Sequence, residues 1–163
     1  ADEWNVAYCM SESQYQAFNE ALAPYYTLSD DGLKILPVEG RIDAVVSFAP
    51  CFAPIFGEDG IARATVAALI VAGERDLACP FERDGLFMFN HLSSEDRFLI
   101  SVLNGDHWFG YNDEAPYTAV TRHFATAMFG LYLQGRGEYA EYLTEDYVNS
   151  IDGLKWGKAL DSE

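Results

Sequence analysis

Apolar positions in this chain follow two periods. Three runs are nearly unbroken: residues 42–50 (Ile-Asp-Ala-Val-Val-Ser-Phe-Ala-Pro), residues 66–73 (Val-Ala-Ala-Leu-Ile-Val-Ala-Gly) and residues 97–103 (Arg-Phe-Leu-Ile-Ser-Val-Leu). Proline closes the first, glycine the second, and Asn104-Gly105 the third. Runs of this length and composition predict short strands covered on both faces. Between and around them the spacing changes to the helical one. Tyr15, Phe18, Leu22 and Tyr25 share a face behind Ser11 and Ser13, either of which can cap, and Pro24 ends that helix. Residues 81–92 carry Leu86, Phe87, Phe89 and His91 in a short helix that tolerates Gly85. The strongest helical pattern begins at Asp113 or Glu114, with Pro116 in its first turn. It continues through Tyr117, Val120, Phe124, Ala127, Met128 and Leu131 to a stop at Gly135. Residues 138–149 predict one more helix, packed through Tyr139, Tyr142, Leu143 and Tyr147. The Gly-, Lys- and Asp-rich residues 150–163 read as a surface tail, so residues 1–149 form the domain proper.

Strand, helix, strand, helix in this order predicts an α/β fold, with parallel strands joined by right-handed crossovers. Chemistry in such sheets gathers at the carboxyl ends of the strands. Three places lie there: Ala49-Pro50-Cys51, Gly73-Glu74-Arg75-Asp76 and Asn104-Gly105-Asp106-His107. An acid and a histidine therefore leave adjacent strands on one rim. A carboxylate so placed accepts the Nδ1 proton of an imidazole and holds its Nε2 toward a nucleophile.

Half of the residues are apolar, enough for one domain to bury its own core. Ten basic residues against 26 acidic ones leave a net charge of −16. That field repels phosphate backbones and anionic membranes, so nucleic acid and acidic lipid are poor partners. The longest apolar stretch, residues 65–73, is far short of the roughly 20 residues that cross a bilayer. Ala1 to Asn5 carry no feature of a signal peptide, which leaves the compartment open, a secreted or periplasmic one included. Cys9, Cys51 and Cys79 form no C-x-x-C pair. Three buried thiols is the plainer reading, and one bridge with one cysteine left over also fits. No metal site and no cofactor are expected.

The segment from Arg41 to His107 resembles the second half of an α/β-hydrolase. The likeness is to the dienelactone hydrolase-like group, which includes platelet-activating-factor acetylhydrolase-like esterases and cutinase-type polyesterases. It rests on Arg41-Ile42-Asp43-Ala44-Val45-Val46 leading to Ser47-Phe48-Ala49-Pro50, on Leu69-Ile70-Val71-Ala72-Gly73-Glu74-Arg75-Asp76, and on Leu103-Asn104-Gly105-Asp106-His107. These segments correspond to strands six, seven and eight of that fold. The resemblance implies that Asp76 is the triad acid and His107 the triad base. The family's serine lies upstream in a G-x-S-x-G elbow, and no such motif occurs in these 163 residues. The expectation is a carboxyl-terminal part of a hydrolase, inactive alone, whose partner chain supplies the serine, the oxyanion hole and the remaining strands. The first strand points the same way, because an open apolar edge invites pairing with a strand from elsewhere.

Each assignment has a plainer rival. Asp76 can be a solvated turn residue, Asp106 competes with it as the acid, and His107 can be an imidazole bonded to backbone. His91 and His123 read as structural or surface residues. Trp108 and Phe109, with Tyr111, follow the base closely enough to wall a substrate pocket, and Phe52, Ile55 and Phe56 are weaker candidates. Asp30-Asp31 and Glu58-Asp59 read as solvated loop charge. The expected activity is carboxylic ester hydrolysis on a small molecule or a polymer. A prolyl-oligopeptidase-like peptidase and a non-catalytic binding subunit derived from a hydrolase are the alternatives.

Overall fold

A computed structural model describes residues 26–29, 32–35, 42–109 and 117–157. Cys9, the helix expected over residues 15–25, Asp30-Asp31, Tyr111 and the caps expected at Asp113 or Glu114 lie outside the described residues.

The architecture is α/β, a mixed four-stranded sheet with helices on both faces. Strands β1 (Tyr26–Ser29) and β2 (Gly32–Ile35) form a separate antiparallel hairpin, in register from Tyr26 opposite Ile35 to Ser29 opposite Gly32. The main sheet runs β3 (Ala44–Phe48), β4 (Ala67–Gly73), β5 (Arg97–Val102) and β6 (Leu154–Trp156), in that order. β3, β4 and β5 are parallel, pairing Ala44 with Ala67 and Gly73 with Val102 at the two ends of the register. Every residue of β4 is buried, as a central strand covered on two sides must be.

The two faces of β4 build two cores. Ala67, Leu69 and Val71 join Ile100, Val102, Leu154 and the helix residues Phe124, Ala127 and Met128. Ala68, Ile70 and Ala72 face the other way and meet Ala53, Ile61, Phe81, Leu92 and Leu99. The second layer is made of short pieces: a 3₁₀ turn (Ala53–Phe56), α1 (Gly57–Ile61), a π-helical turn (Glu82–Leu86) and α2 (Phe87–His91). The first layer is carried by α3 (Tyr117–Gln134), which ends at Gly135 in the left-handed region at φ 65°.

Two expectations are corrected. The helix over residues 138–149 is a 3₁₀ helix (Gly137–Leu143) followed by α4 (Glu145–Asn149). They part at Thr144, whose backbone is extended and whose Oγ1 accepts the Tyr147 amide at 3.3 Å, so the threonine starts a new helix. Residues expected in the surface tail are partly in the sheet, because β6 adds to β5 antiparallel and Leu154 is buried in the first core. The Gly-rich composition hid a three-residue strand too short to show an alternating pattern. Residues 158–163 lie outside the described residues.

Candidate active site

The rim at the carboxyl ends of β4 and β5 is held by backbone before any side chain acts. Gly73 closes β4 where a Cβ would stand 2.8 Å from the carbonyl carbon of Gly105, so only glycine lets the two loops approach. Hydrogen bonds then join them: Glu74 N–H to the Val102 carbonyl at 3.1 Å and Arg75 N–H to the Gly105 carbonyl at 2.9 Å. Asn104 turns the β5 loop with a left-handed φ of 60°, a conformation asparagine tolerates better than most residues.

This contact sets Asp76 beside His107. Asp76 Oδ1 accepts two backbone amides, Ala78 at 2.9 Å and Cys79 at 2.7 Å. Its Oδ2 lies 2.8 Å from His107 Nδ1. A carboxylate saturated on one oxygen by amides has its other oxygen fixed in direction, and Nδ1–H donates to it. The acid is buried, whereas the imidazole side chain keeps 21% of its surface. Among the described residues Asp76 is the only hydrogen-bond partner of that ring, and no serine hydroxyl reaches it.

The rival readings separate on this geometry. Asp106 is exposed and its Oδ1 accepts the Trp108 amide at 2.8 Å, a local turn bond, so it does not face the ring. His91 sits in α2 with Nδ1 on the Phe87 carbonyl and Nε2 3.4 Å from Glu58. His123 Nε2 meets the Tyr147 hydroxyl at 3.0 Å in an aromatic group with Phe124 and Tyr142. Each is engaged by neighbours other than Asp76.

The two expected wall residues part company. Trp108 is 63% exposed and stands edge-on to His107, with ring centroids 5.3 Å apart. Phe109 is 4% exposed and belongs to the first core, which removes it from an open wall. Of the weaker candidates, Ile55 is exposed and Phe56 packs on the second core. Leu77, next to Asp76, is 92% exposed, and its sequence position gave no hint of this.

Two further features shape the rim. Cys51, just past β3, is bonded to Cys79, three residues past Asp76, with Cα atoms 5.0 Å apart. That overturns the reading of three buried thiols in favour of the alternative with one bridge. Both cysteines follow carboxyl ends of adjacent strands, and this shared rim was the available signal. Asp84, fully buried in the π-helical turn, accepts the buried Ala53 amide at 3.0 Å and both Nε and Nη2 of Arg83 at 2.8 and 2.6 Å. Arg83 Nη2 also reaches the Ala78 carbonyl at 3.2 Å. Burial pushes the Asp84 carboxyl above its ordinary range, against the lowering effects of Arg83 and the Ala53 amide. The disulfide and the Ala53–Asp84 hydrogen bond clamp the same two loops, those after β3 and β4.

No protein-family model matches the chain, and no curated protein matches it.

Proposed function

We propose that this chain contributes the acid and the base of a serine hydrolase acting on carboxylic esters. The observation that carries the reading is the 2.8 Å contact between Asp76 Oδ2 and His107 Nδ1 on the carboxyl rim of a parallel β-strand pair. The resemblance of residues 41–107 to strands six to eight of an α/β-hydrolase supports it. So does the edge strand: among the described residues β3 pairs only with β4, and Val45 on it is exposed. A complementary chain bearing G-x-S-x-G would continue the sheet there and bring the nucleophile and oxyanion hole.

In this reading the serine oxygen attacks the ester carbonyl while His107 Nε2 takes its proton. Asp76 holds the tautomer and stabilises the imidazolium; the proton then passes to the departing alcohol. Water repeats the attack on the acyl group, again giving its proton to His107, which returns it to the serine. Trp108, exposed beside the ring, would wall the acyl or alcohol group. Turnover needs no cofactor in this scheme.

Fluorophosphonate labelling of native material, read by intact mass, tests the proposal. The expected result is a labelled serine on polypeptide outside these 163 residues that co-purifies with them and hydrolyses esters in preference to peptides. A stable homomer that takes no label overturns it in favour of a binding subunit. Peptide turnover without ester turnover places the site among the peptidases.

A further inference from the structure

The same rim carries a second set of ligating atoms. The sulfur atoms of Cys51 and Cys79 and a ring nitrogen of His107 all lie within 4.8 Å of one another. Two thiolates and an imidazole are the donor set that zinc and similar borderline divalent cations take, with a fourth tetrahedral position left for water. Metal–sulfur bonds of about 2.3 Å put neighbouring tetrahedral ligands about 3.8 Å apart. The three atoms lie within 4.8 Å of one another while the sulfurs are bonded, and Cα atoms 5.0 Å apart allow the sulfurs, once parted, to take that separation.

The surroundings suit a metal as well. Asp76 already holds His107 Nδ1, the carboxylate–imidazole pairing that orients metal-bound histidines, and this leaves Nε2 as the ligating nitrogen. The bond from the Ala53 amide to Asp84 ties the two cysteine loops together without the sulfurs, and Arg83 braces the Cys79 loop within itself through the Ala78 carbonyl. Cutting the disulfide therefore leaves the thiols close to each other.

We infer that Cys51, Cys79 and His107 form a redox-gated site for zinc or a zinc-like divalent cation, closed by the disulfide and opened by reduction. A dithiol reductant supplies two electrons and two protons: the Cys51–Cys79 bond breaks, each sulfur becomes a thiol, and the reductant is left as its own disulfide. Metal entry releases the two thiol protons and forms two metal–sulfur bonds and one metal–nitrogen bond. Occupancy takes up the nitrogen that acyl transfer uses, so the metal would switch the hydrolase off. That consequence rests on the proposed function, whereas the site itself does not.

The test uses the full chain with Cys9→Ser, which removes the third thiol, reduced with a dithiol that is then removed, and titrated with Co²⁺ alone. The expected signals are a thiolate-to-cobalt charge-transfer band and intense tetrahedral visible bands, both displaced by one equivalent of Zn²⁺. Oxidised chain and Cys51→Ser should show neither. Asp76→Asn should weaken binding by about 10–100-fold, and His107→Ala by more. No charge-transfer band in the reduced chain, or unchanged cobalt affinity in His107→Ala, overturns the inference. Neither readout involves ester turnover, so a failed labelling experiment and a failed cobalt titration are told apart.

Discussion

Asp76 and Asp84 are both buried, stand eight residues apart in the chain, and face opposite kinds of partner. Asp84 is closed off: amide and guanidinium donors fill its oxygens, and the group holds two loops together. Asp76 is filled on one oxygen only by backbone, and its other oxygen meets an imidazole that still touches solvent. The permanent cation makes the first a clamp. A neutral-or-charged imidazole in place of a guanidinium gives the second the acid–base pairing on which the proposed function rests. Burial alone therefore does not distinguish the two carboxylates; the chemistry of what each faces does.

If that contrast holds, substitutions on the Asp76 side cost turnover and those on the Asp84 side cost stability. In the proposed two-chain assembly His107→Ala should lower kcat by about 10⁶-fold in an ester assay, with assembly intact by size-exclusion chromatography. Asp76→Asn keeps a carbonyl for the Ala78 and Cys79 amides but turns an amide donor on His107 Nδ1; a loss of about 10⁴-fold in kcat is expected. Ester turnover equal to wild type in either variant would erase the distinction between the two aspartates.

Asp84→Ala strands the buried Ala53 amide and takes the carboxylate from Arg83, so denaturant unfolding should show a loss of about 3 kcal/mol. Its pH dependence has a defined sign. The folded carboxyl titrates above its unfolded value of 3.8, so its stabilising contribution is full below that value and is lost as pH rises through the folded one. Wild type should accordingly gain on Asp84→Asn as the pH of the unfolding measurement is lowered from neutrality toward 3.8. A gain with rising pH instead would mean that Arg83 outweighs burial. Gly73→Ala presses a methyl group on Gly105 and pushes the Asp76 and His107 loops apart. About 1–3 kcal/mol of stability should be lost, the smallest of these effects.

Much of the sheet was legible beforehand. Residues 67–73 are apolar without interruption, and only a strand covered on both faces needs that. The pattern of α3 and its stop at Gly135 were equally plain, since eighteen residues give the helical period room to repeat. β6 was not legible, because three residues in a Gly-rich stretch show no period. The hairpin of β1 and β2 escaped for the same reason of length. Phe109 looked like a wall residue by adjacency to His107, and packing decided otherwise.

The sequence by itself determined which residues could work together: an acid and a histidine at the ends of neighbouring apolar runs share a rim whenever those runs pair in parallel. Local periodicity carries that information because it depends only on near neighbours along the chain. Only the tertiary structure decided that Asp76 rather than Asp106 meets the ring, that Cys51 joins Cys79, and that Asp84 ties Ala53 to Arg83. Such contacts depend on loop geometry between residues tens of positions apart. No spacing rule encodes that geometry until the sheet has fixed where each loop begins.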